Sequence, residues 1–319
     1  MRLIILALVC AILGLLTLVI GPIPIPLFSE MSPEQALILS ELRLPKMITA
    51  LCAGGLLSVA GLFMQVYFQN PLVGPYILGI PSGASFGVAL WYLLAGGSLS
   101  LFGVFGFSVI GGLGTLLVIV IIAPFLKQKT FLLIFGLLLG QLLAGLVQLI
   151  TLYAPSENLR SFLIWGMGSF ERLSLETALY LALATVILFF CSVLMSKSLN
   201  TMLLGDRYAQ SMGVNLKRVR FLIILLSGLM ASIVAATAGP IAFVGVLIPH
   251  LARWYFSEHR HHLLIIGSFL LGGIFCLSIQ LLNLLLMPYS LPINAWLALL
   301  SAPFMILFLF RLRGRSYVF

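Results

Sequence analysis

Histidine is the side chain of this sequence best suited to acid–base or metal chemistry, and its four copies fall into two groups. His250 lies in the apolar stretch GPIAFVGVLIPHLAR, where an ionisable residue within a membrane marks a functional candidate. The alternative is a structural role beside Arg253 at a helix end. His259, His261 and His262 form a second cluster, but a solvated basic loop explains it more simply than a metal site. We therefore predict no metal centre.

No Walker A pattern (GxxxxGK[ST]) and no HExxH pattern occurs in these residues. The chain therefore does not hydrolyse nucleotide through a P-loop, and it lacks the usual zinc-protease motif. Four cysteines stand singly in apolar runs without CxxC spacing, as is typical of small buried hydrophobic residues.

Uncharged polar side chains recur within apolar segments, where they must face other helices or a watery path. The set consists of Gln65, Gln141, Gln148, Gln280, Asn283 and Asn294. Helix–helix contact and pathway lining are both open for each of them. Since none of the eight acidic residues lies deep in an apolar segment, the set favours a wide and mostly neutral conduit over a proton or sodium carrier.

Two segments contain too many helix-breaking residues to form one continuous helix. The first is QNPLVGPYILGIPSGAS, with three prolines and three glycines including Gly79 and Gly83, and the second is AGPIAFVGVLIPH. Broken backbone near a membrane is tolerated only where protein or a water-filled cavity covers it. We expect both segments to pack against the conduit.

The composition requires a membrane protein of many spans. Of 319 residues, 62% are hydrophobic and 8% charged, against roughly 25% charged in a soluble domain. Apolar runs predict ten spanning helices in one domain, residues 1–319, and we expect the first to be an uncleaved span. The predicted spans are 2–20, 46–68, 82–97, 101–125, 131–153, 176–196, 220–238, 241–256, 263–287 and 294–312.

The basic residues orient these spans with both termini in the cytoplasm. That choice places 13 of 17 basic residues inside, as the positive-inside rule requires. The inside set is Arg2, Lys127, Lys129, Lys197, Arg207, Lys217, Arg218, Arg220, Arg253, Arg260, Arg311, Arg313 and Arg315. Six of eight acidic residues fall outside, namely Glu30, Glu34, Glu41, Glu157, Glu171 and Glu176. The net charge of +9 thus reflects topology, and we predict no nucleic-acid partner.

Two halves of five spans each would have opposite orientations, as inverted repeats require. The longest cytoplasmic loop, at about 197–219, then joins the sixth and seventh spans. It is polar, it carries turn glycines at Gly205 and Gly213, and it holds no catalytic set of residues.

Several segments, in this order, resemble the permease subunits of the ABC importers for iron–siderophore, haem and cobalamin. They are RLPKMITALCAGGLLSVAGLFMQVYFQNPLVGPYILGIPSGAS, LRSFLIWGMGSF, LLGDRYAQSMGVNLKRVR and AGPIAFVGVLIPHLAR. The end departs from the family pattern, because LPINAWLALLSAP has Asn294, Leu297 and Ser301 where the family has Gly, Thr and Gly. The resemblance covers roughly residues 41 to 313.

The resemblance implies a ten-span permease that works as a dimer with a second permease copy in the bacterial inner membrane. Two separate ATPase subunits would bind ATP and Mg, and a periplasmic or lipid-anchored protein would deliver the ligand, an iron chelate or cobalamin. This chain itself would hold no cofactor and would not be an enzyme. The segment matching the family's ATPase-coupling helices contains Leu204, Gly205, Asp206, Ala209, Gly213 and Val214.

Two further sets of residues follow, the first from the resemblance and the second from the polar and helix-breaking residues above. Arg43 and Lys46 match a basic pair that would dock the binding protein, unless they only anchor a helix end. Candidates for the translocation path are Gln65, Asn70, Pro71, Gly79, Gly83, Gln141 and His250. The rival interpretations are a secondary carrier or channel without an ATPase and, more remotely, an intramembrane enzyme that uses His250.

The coupling assignment predicts the outcome of two substitutions. Gly205→Pro or Asp206→Lys should leave membrane insertion intact and abolish uptake, because either change deforms the turn that ATPase movement must push. Uptake is measured in proteoliposomes containing the permease and its ATPase. Unchanged uptake would contradict the assignment.

Overall fold

The computed structural model describes residues 1–26, 31–94, 101–126, 128–257, 260–286 and 291–312. These residues form helices and no β-strand. The helices are α1 (Arg2–Val19), α2 (Pro33–Ile38), α3 (Leu44–Phe68), α4 (Ile80–Leu94), α5 (Leu101–Ile122), α6 (Lys129–Leu152), α7 (Ser156–Gly166), α8 (Leu175–Leu194), α9 (Ser196–Leu203), α10 (Asp206–Ser211), α11 (Leu216–Ala238), α12 (Val244–Phe256), α13 (His261–Leu285) and α14 (Ile293–Leu312).

Each of the ten predicted spans coincides with one of these helices. Within the described part of the chain, seven helical stretches are long and apolar enough to cross a membrane. The three other matches are α14, α4 with 15 residues and α12 with 13. At 1.5 Å per residue the last two rise only about 20 Å, less than the ~30 Å hydrocarbon layer. Each of these two short helices follows one of the two segments that are rich in Pro and Gly.

Several residues used in the sequence argument lie outside the described residues. They are residues 95–97 of the third predicted span, Met287 of the ninth, the charges Glu30, Lys127, Arg313 and Arg315, and His259.

Short helices that the span prediction left as loops occupy the connections. A π turn at Leu39–Arg43 links α2 directly to α3, and a 3-10 turn at Pro75–Leu78 precedes α4. Helix α2 starts with a capping box, in which Ser32 and Gln35 exchange side-chain and backbone hydrogen bonds, a local signal for helix initiation. Helices α9 and α10 lie within the loop predicted at about 197–219.

Helix α3 forms the centre of the bundle, because it is buried almost continuously from Thr49 to Tyr67. It contacts α13, α11, α12 and α8. This is possible because α3 presents small residues to its neighbours: a Cβ atom at Gly54 would collide with the backbone of Gly272 in α13, and one at Gly61 with the backbone of Gly245 in α12. Inside a membrane the hydrophobic effect does not drive helices together, so close van der Waals packing does, and small residues let the helix backbones approach closely.

The helix ends collect at two opposite ends of the bundle. One holds the first residues of α1, α6, α11 and α13 with the last residues of α3 and α12, joined by side-chain contacts among them. We call it the α10 end. The other joins the last residues of α1, α7 and α11 to the first residues of α3 and α14, and we call it the α7 end.

The α3–α12 contact predicts a sharp contrast between two glycines. Gly61→Ala should lower stability by about 1–3 kcal/mol, since overpacking forces backbones apart, while Gly145→Ala should be neutral because a Cβ atom there meets nothing within 4 Å. Thermal unfolding of the detergent-solubilised chain measures both. Equal melting temperatures for the two variants would contradict this account of the core.

Candidate functional site

The two broken segments lie side by side in the structure. The first, residues 69–79, runs from Gln69 (φ 50°) to Gly79 (φ 72°), and the second, residues 239–243, runs from Gly239 (φ 81°) to Phe243 (φ 67°). Gly74 lies against Val246, and Gly245 lies against Pro75. Each segment leads into a short helix, the first into α4 and the second into α12.

A groove opens where these segments meet α6. Its volume is about 420 Å³, and it is lined by Leu72, Gly74, Pro75, Tyr76, Ile77, Gly79, Ser82, Gly136, Leu137, Gly140, Gln141, Ala144, Ala242, Phe243, Gly245 and Val246. A second cavity of about 300 Å³ shares four of these residues and extends to Gly166, Pro240 and Asn294 at the α7 end. Neither lining includes a charged side chain. Together we call them the neutral groove.

Of the predicted path residues, Gly79 and Gln141 line the neutral groove. Gly79 also contacts α6, because a Cβ atom there would lie 2.9 Å from the carbonyl oxygen of Gly136. Gly83 is packed against α5, where a Cβ atom would lie 2.6 Å from the carbonyl oxygen of Gly111. The exposed Asn70 accepts a 3.0 Å hydrogen bond from the backbone N–H of Leu72, which closes a turn. The path roles themselves stay predictions.

The other predicted path residues form a hydrogen-bonded cluster toward the α10 end. The fully buried Gln65 donates from Nε2 to the carbonyl of Val246 (3.1 Å) and accepts at Oε1 from Arg253 (2.6 Å). His250 Nε2 lies 2.7 Å from the carbonyl oxygen of Pro71. The cluster therefore ties α3 and the first broken segment to α12, as the structural alternative for His250 requires.

The histidine cluster predicted as a basic loop divides in the structure. His261 is buried, and Asn200 Oδ1 accepts its backbone N–H at 2.8 Å and lies 2.9 Å from its Nδ1. His262 is exposed. Among the described residues no group of three His, Cys, Asp or Glu side chains could hold a metal ion.

The polar loop folds into a compact helix–turn–helix element, α9 and α10, at the α10 end. Its turns depend on Gly205 (φ 98°) and Gly213 (φ 83°), which occupy backbone conformations that favour glycine. Ala209 is fully buried and its carbonyl accepts the N–H of Val214 at 3.0 Å. The same element exposes three apolar side chains, with fractional exposures of 63% for Leu204, 49% for Tyr208 and 59% for Met212. We call these three the apolar face.

An ion cluster joins this element to two long helices. Asp206 Oδ2 accepts from Arg220 of α11 at 2.6 Å and lies 3.7 Å from Lys129 Nζ at the first residue of α6. Lys129 Nζ also lies 5.9 Å from the centre of the Tyr67 ring at the end of α3. Asp206 thus connects α10 to α6, the helix that lines the neutral groove.

The predicted docking pair lies at the α7 end with its polar atoms already in contact with the chain. Arg43 is only 6% exposed and donates to the carbonyl groups of Leu18 (2.7 Å) and Val19 (2.9 Å) at the end of α1, and also to that of Ile23. Lys46 Nζ lies 2.8 Å from Glu171 Oε1. This geometry favours the anchoring alternative for Arg43; docking of a partner stays a prediction.

Sequence reasoning did not assign Phe243 to the site and left the role of Asn294 undecided. Phe243 is a non-glycine residue with positive φ and 42% exposure into the groove, a conformation that composition does not reveal. Asn294 belongs to the uncharged polar residues for which helix contact and pathway lining were both open, and it also departs from the family pattern. Ser85, within a Gly-x-Ser-x-Gly spacing, lies inside α4 and lines the second cavity; it does not lie on the strand-to-helix turn that this spacing forms in hydrolases.

Many long apolar helices, with a polar element at one end, are the features of a multi-pass membrane protein. The chain belongs to the FecCD transport family, whose model matches residues 2–311. Members similar to this chain are permease subunits of ABC transporters, which are transport components and not enzymes.

Three curated relatives illustrate the range of the family. A molybdate import system permease protein of Haemophilus influenzae is 32% identical over 89% of this chain and 84% of its own length. A vitamin B12 import system permease protein of Yersinia pseudotuberculosis is 32% identical over 86% and 82%. A probable iron chelatin transport system permease protein of Helicobacter pylori is 30% identical over 90% and 87%.

The fold also matches a solved structure. A chain described as an inward-facing conformation of a transporter assigned to the metal-chelate type of ABC transporter aligns with a TM-score of 0.89 and 30% identity, covering 97% of this chain and 98% of that one. The resemblance read from the sequence motifs is therefore confirmed at the level of the family.

The ion cluster predicts that one substitution lowers the amount of cargo transported for each ATP hydrolysed. Lys129→Met should leave the melting temperature nearly unchanged, since a partly exposed pair 3.7 Å apart contributes about 0–1 kcal/mol. Uptake per ATP hydrolysed should fall several-fold, because α10 loses its contact with α6. The exposed Lys217, replaced by Met, is the matched control. Unaltered stoichiometry in Lys129→Met would show that the contact carries no coupling.

Proposed function

We propose that this chain is the membrane-spanning subunit of an ATP-driven importer with ten spans and both termini in the cytoplasm. In this proposal the α10 end faces the cytoplasm and the α7 end faces the exterior. Two copies of the permease enclose the path, each contributing one neutral groove, and partner ATPases supply ATP and Mg. The cargo is an iron chelate, such as a siderophore complex or haem, or cobalamin.

The apolar face carries this proposal. Leu204, Tyr208 and Met212 are exposed on an element whose opposite side is buried through Ala209. Exposed apolar residues grouped on a polar element mark a surface that another protein covers. The ion cluster links that surface to α6 and the groove, so a partner pressing on α10 acts on the path. A carrier without an ATPase would have no use for such a surface.

Cargo selection follows from the chemistry of the groove. Its uncharged lining of backbone, Ser, Gln and aromatic groups accepts a large ligand without binding it tightly. An importer needs this property, because a cargo that the path holds strongly would not leave it. The binding protein would supply the affinity, docking at the α7 end where Lys46 and Glu171 lie.

Co-purification and ATPase assays test the proposal together. Tagged permease should retain its ATPase through washing, and Tyr208→Asp should release it, because a carboxylate cannot enter an apolar contact without a large desolvation cost. Tyr153→Asp is the control, since Tyr153 is also exposed but follows the last residue of α6, remote from α10.

The reconstituted complex with its binding protein is then screened with haem, ferric siderophores, cobalamin and molybdate. Stimulation of ATP hydrolysis and uptake by an iron chelate or cobalamin is expected. If molybdate alone stimulates ATP hydrolysis and uptake, the proposed cargo class is wrong, but the proposal of an ATP-driven importer stands. Absence of any bound ATPase would refute the proposal.

A further inference from the structure

Asn294 stands where three separate parts of the chain meet beside the groove. It is the second residue of α14 and lines the second cavity together with Gly166 at the end of α7 and with Pro240 and Ala242 of the broken segment. None of these three segments is adjacent to another in the sequence. A side chain at this point is therefore able to hold all of them.

The Asn294 amide makes three hydrogen bonds, all to backbone groups. Nδ2 donates to the carbonyl oxygen of Gly166 at 3.1 Å and to that of Pro240 at 2.7 Å. Oδ1 accepts from the backbone N–H of Ala242 at 3.3 Å. The backbone N–H of Asn294 adds a fourth bond, to the carbonyl of Met167 at 3.2 Å.

These bonds occupy nearly all of the hydrogen-bonding capacity of the Asn294 amide. An Asn side chain has two N–H donors, and both are engaged here, so the group is not reserved for a passing ligand. Without it, two carbonyl groups and one N–H in the cavity wall would lose their partners. Pro240 itself has no N–H to offer, so its carbonyl group and the N–H of Ala242 are the groups through which Asn294 holds the broken segment.

The segment held in this way ends at a strained residue. Phe243, one residue beyond the bonded Ala242, is not a glycine and yet has φ 67°. Such conformations persist only where surrounding contacts impose them. Phe243 exposes its ring to the first part of the neutral groove, so the hold on Ala242 also sets where that ring lies.

We propose that Asn294 is a positioning residue that clasps α7, the 239–243 segment and α14, and that this clasp sets the largest molecule the second cavity admits. The assignment of this cavity to a transport path rests on the proposed function, but the clasp and its size limit do not. Loss of the clasp widens the cavity and lets the broken segment move away from α7.

Thiol labelling tests the size limit directly. Ser85→Cys places a thiol in the second cavity, in full-length permease whose four native cysteines are replaced by alanine. Membrane vesicles are treated with a small and with a bulky methanethiosulfonate reagent. In Asn294→Gly the bulky reagent should label residue 85 about ten-fold faster or more, as expected when two or three hydrogen bonds no longer oppose opening, while the small reagent should change little.

Two further variants separate the clasp from general loosening. Asn294→Asp cannot donate to the two carbonyl groups and should behave like Asn294→Gly. Asn283→Ala removes an amide that holds Leu291 and Trp296 near the same helix start but does not line either cavity, and it should leave both labelling rates unchanged.

The inference would be overturned if the bulky reagent labelled residue 85 at the same rate whether position 294 is Asn or Gly. It would also be overturned if neither reagent labelled residue 85 in any variant. Labelling that changes as expected in a complex that imports none of the screened ligands would instead count against the proposed function alone. The two failures are therefore distinguishable.

Discussion

Backbone hydrogen bonding inside the membrane is the constraint on which the rest of this structure depends. Helices α4 and α12 are shorter than the hydrocarbon layer is thick, and irregular backbone leads into each of them within the apolar bundle. Its polar groups need partners other than water or lipid. Gln65 bonds the carbonyl of Val246, His250 that of Pro71, and Asn294 those of Gly166 and Pro240. Three polar residues of the apolar segments, Gln65, His250 and Asn294, therefore bond the backbone in or beside these breaks.

Close packing of α3 is what brings the two breaks together. Gly61 lies in backbone contact with Gly245, two residues beyond the second broken segment, and Pro75 of the first segment contacts the same glycine. A larger residue at either position would separate the segments and change the neutral groove along with the core. Stability and the shape of the groove are thus set by the same small side chains, which links a packing requirement to a transport requirement.

Much of this arrangement could be predicted from the sequence, because hydropathy and helix-breaking residues report local physics. The positions of the ten helices and of both broken segments follow from such signals. What the sequence could not supply were contacts between distant residues. From the sequence, Arg43 fits a docking role and a helix-capping role equally well; its hydrogen bond to the carbonyl oxygen of Leu18 distinguishes them only in the structure. Phe243 reads as one more apolar residue until its φ is seen, and Asn294 as a departure from a pattern until its three partners are placed.

The ion cluster at the α10 end explains how a weak contact can matter for transport. Asp206, Lys129 and Arg220 are partly exposed, so their attraction contributes little free energy and cannot force a conformational change. Helix α6, however, begins at Lys129 and lines the groove from Gly136 to Ala144, two to four helical turns further on. A continuous helix transmits displacement of its first turn without needing strong bonds along the way. In the proposed importer the driving energy comes from the ATPase that would cover the apolar face, and the cluster would determine which helix receives the movement.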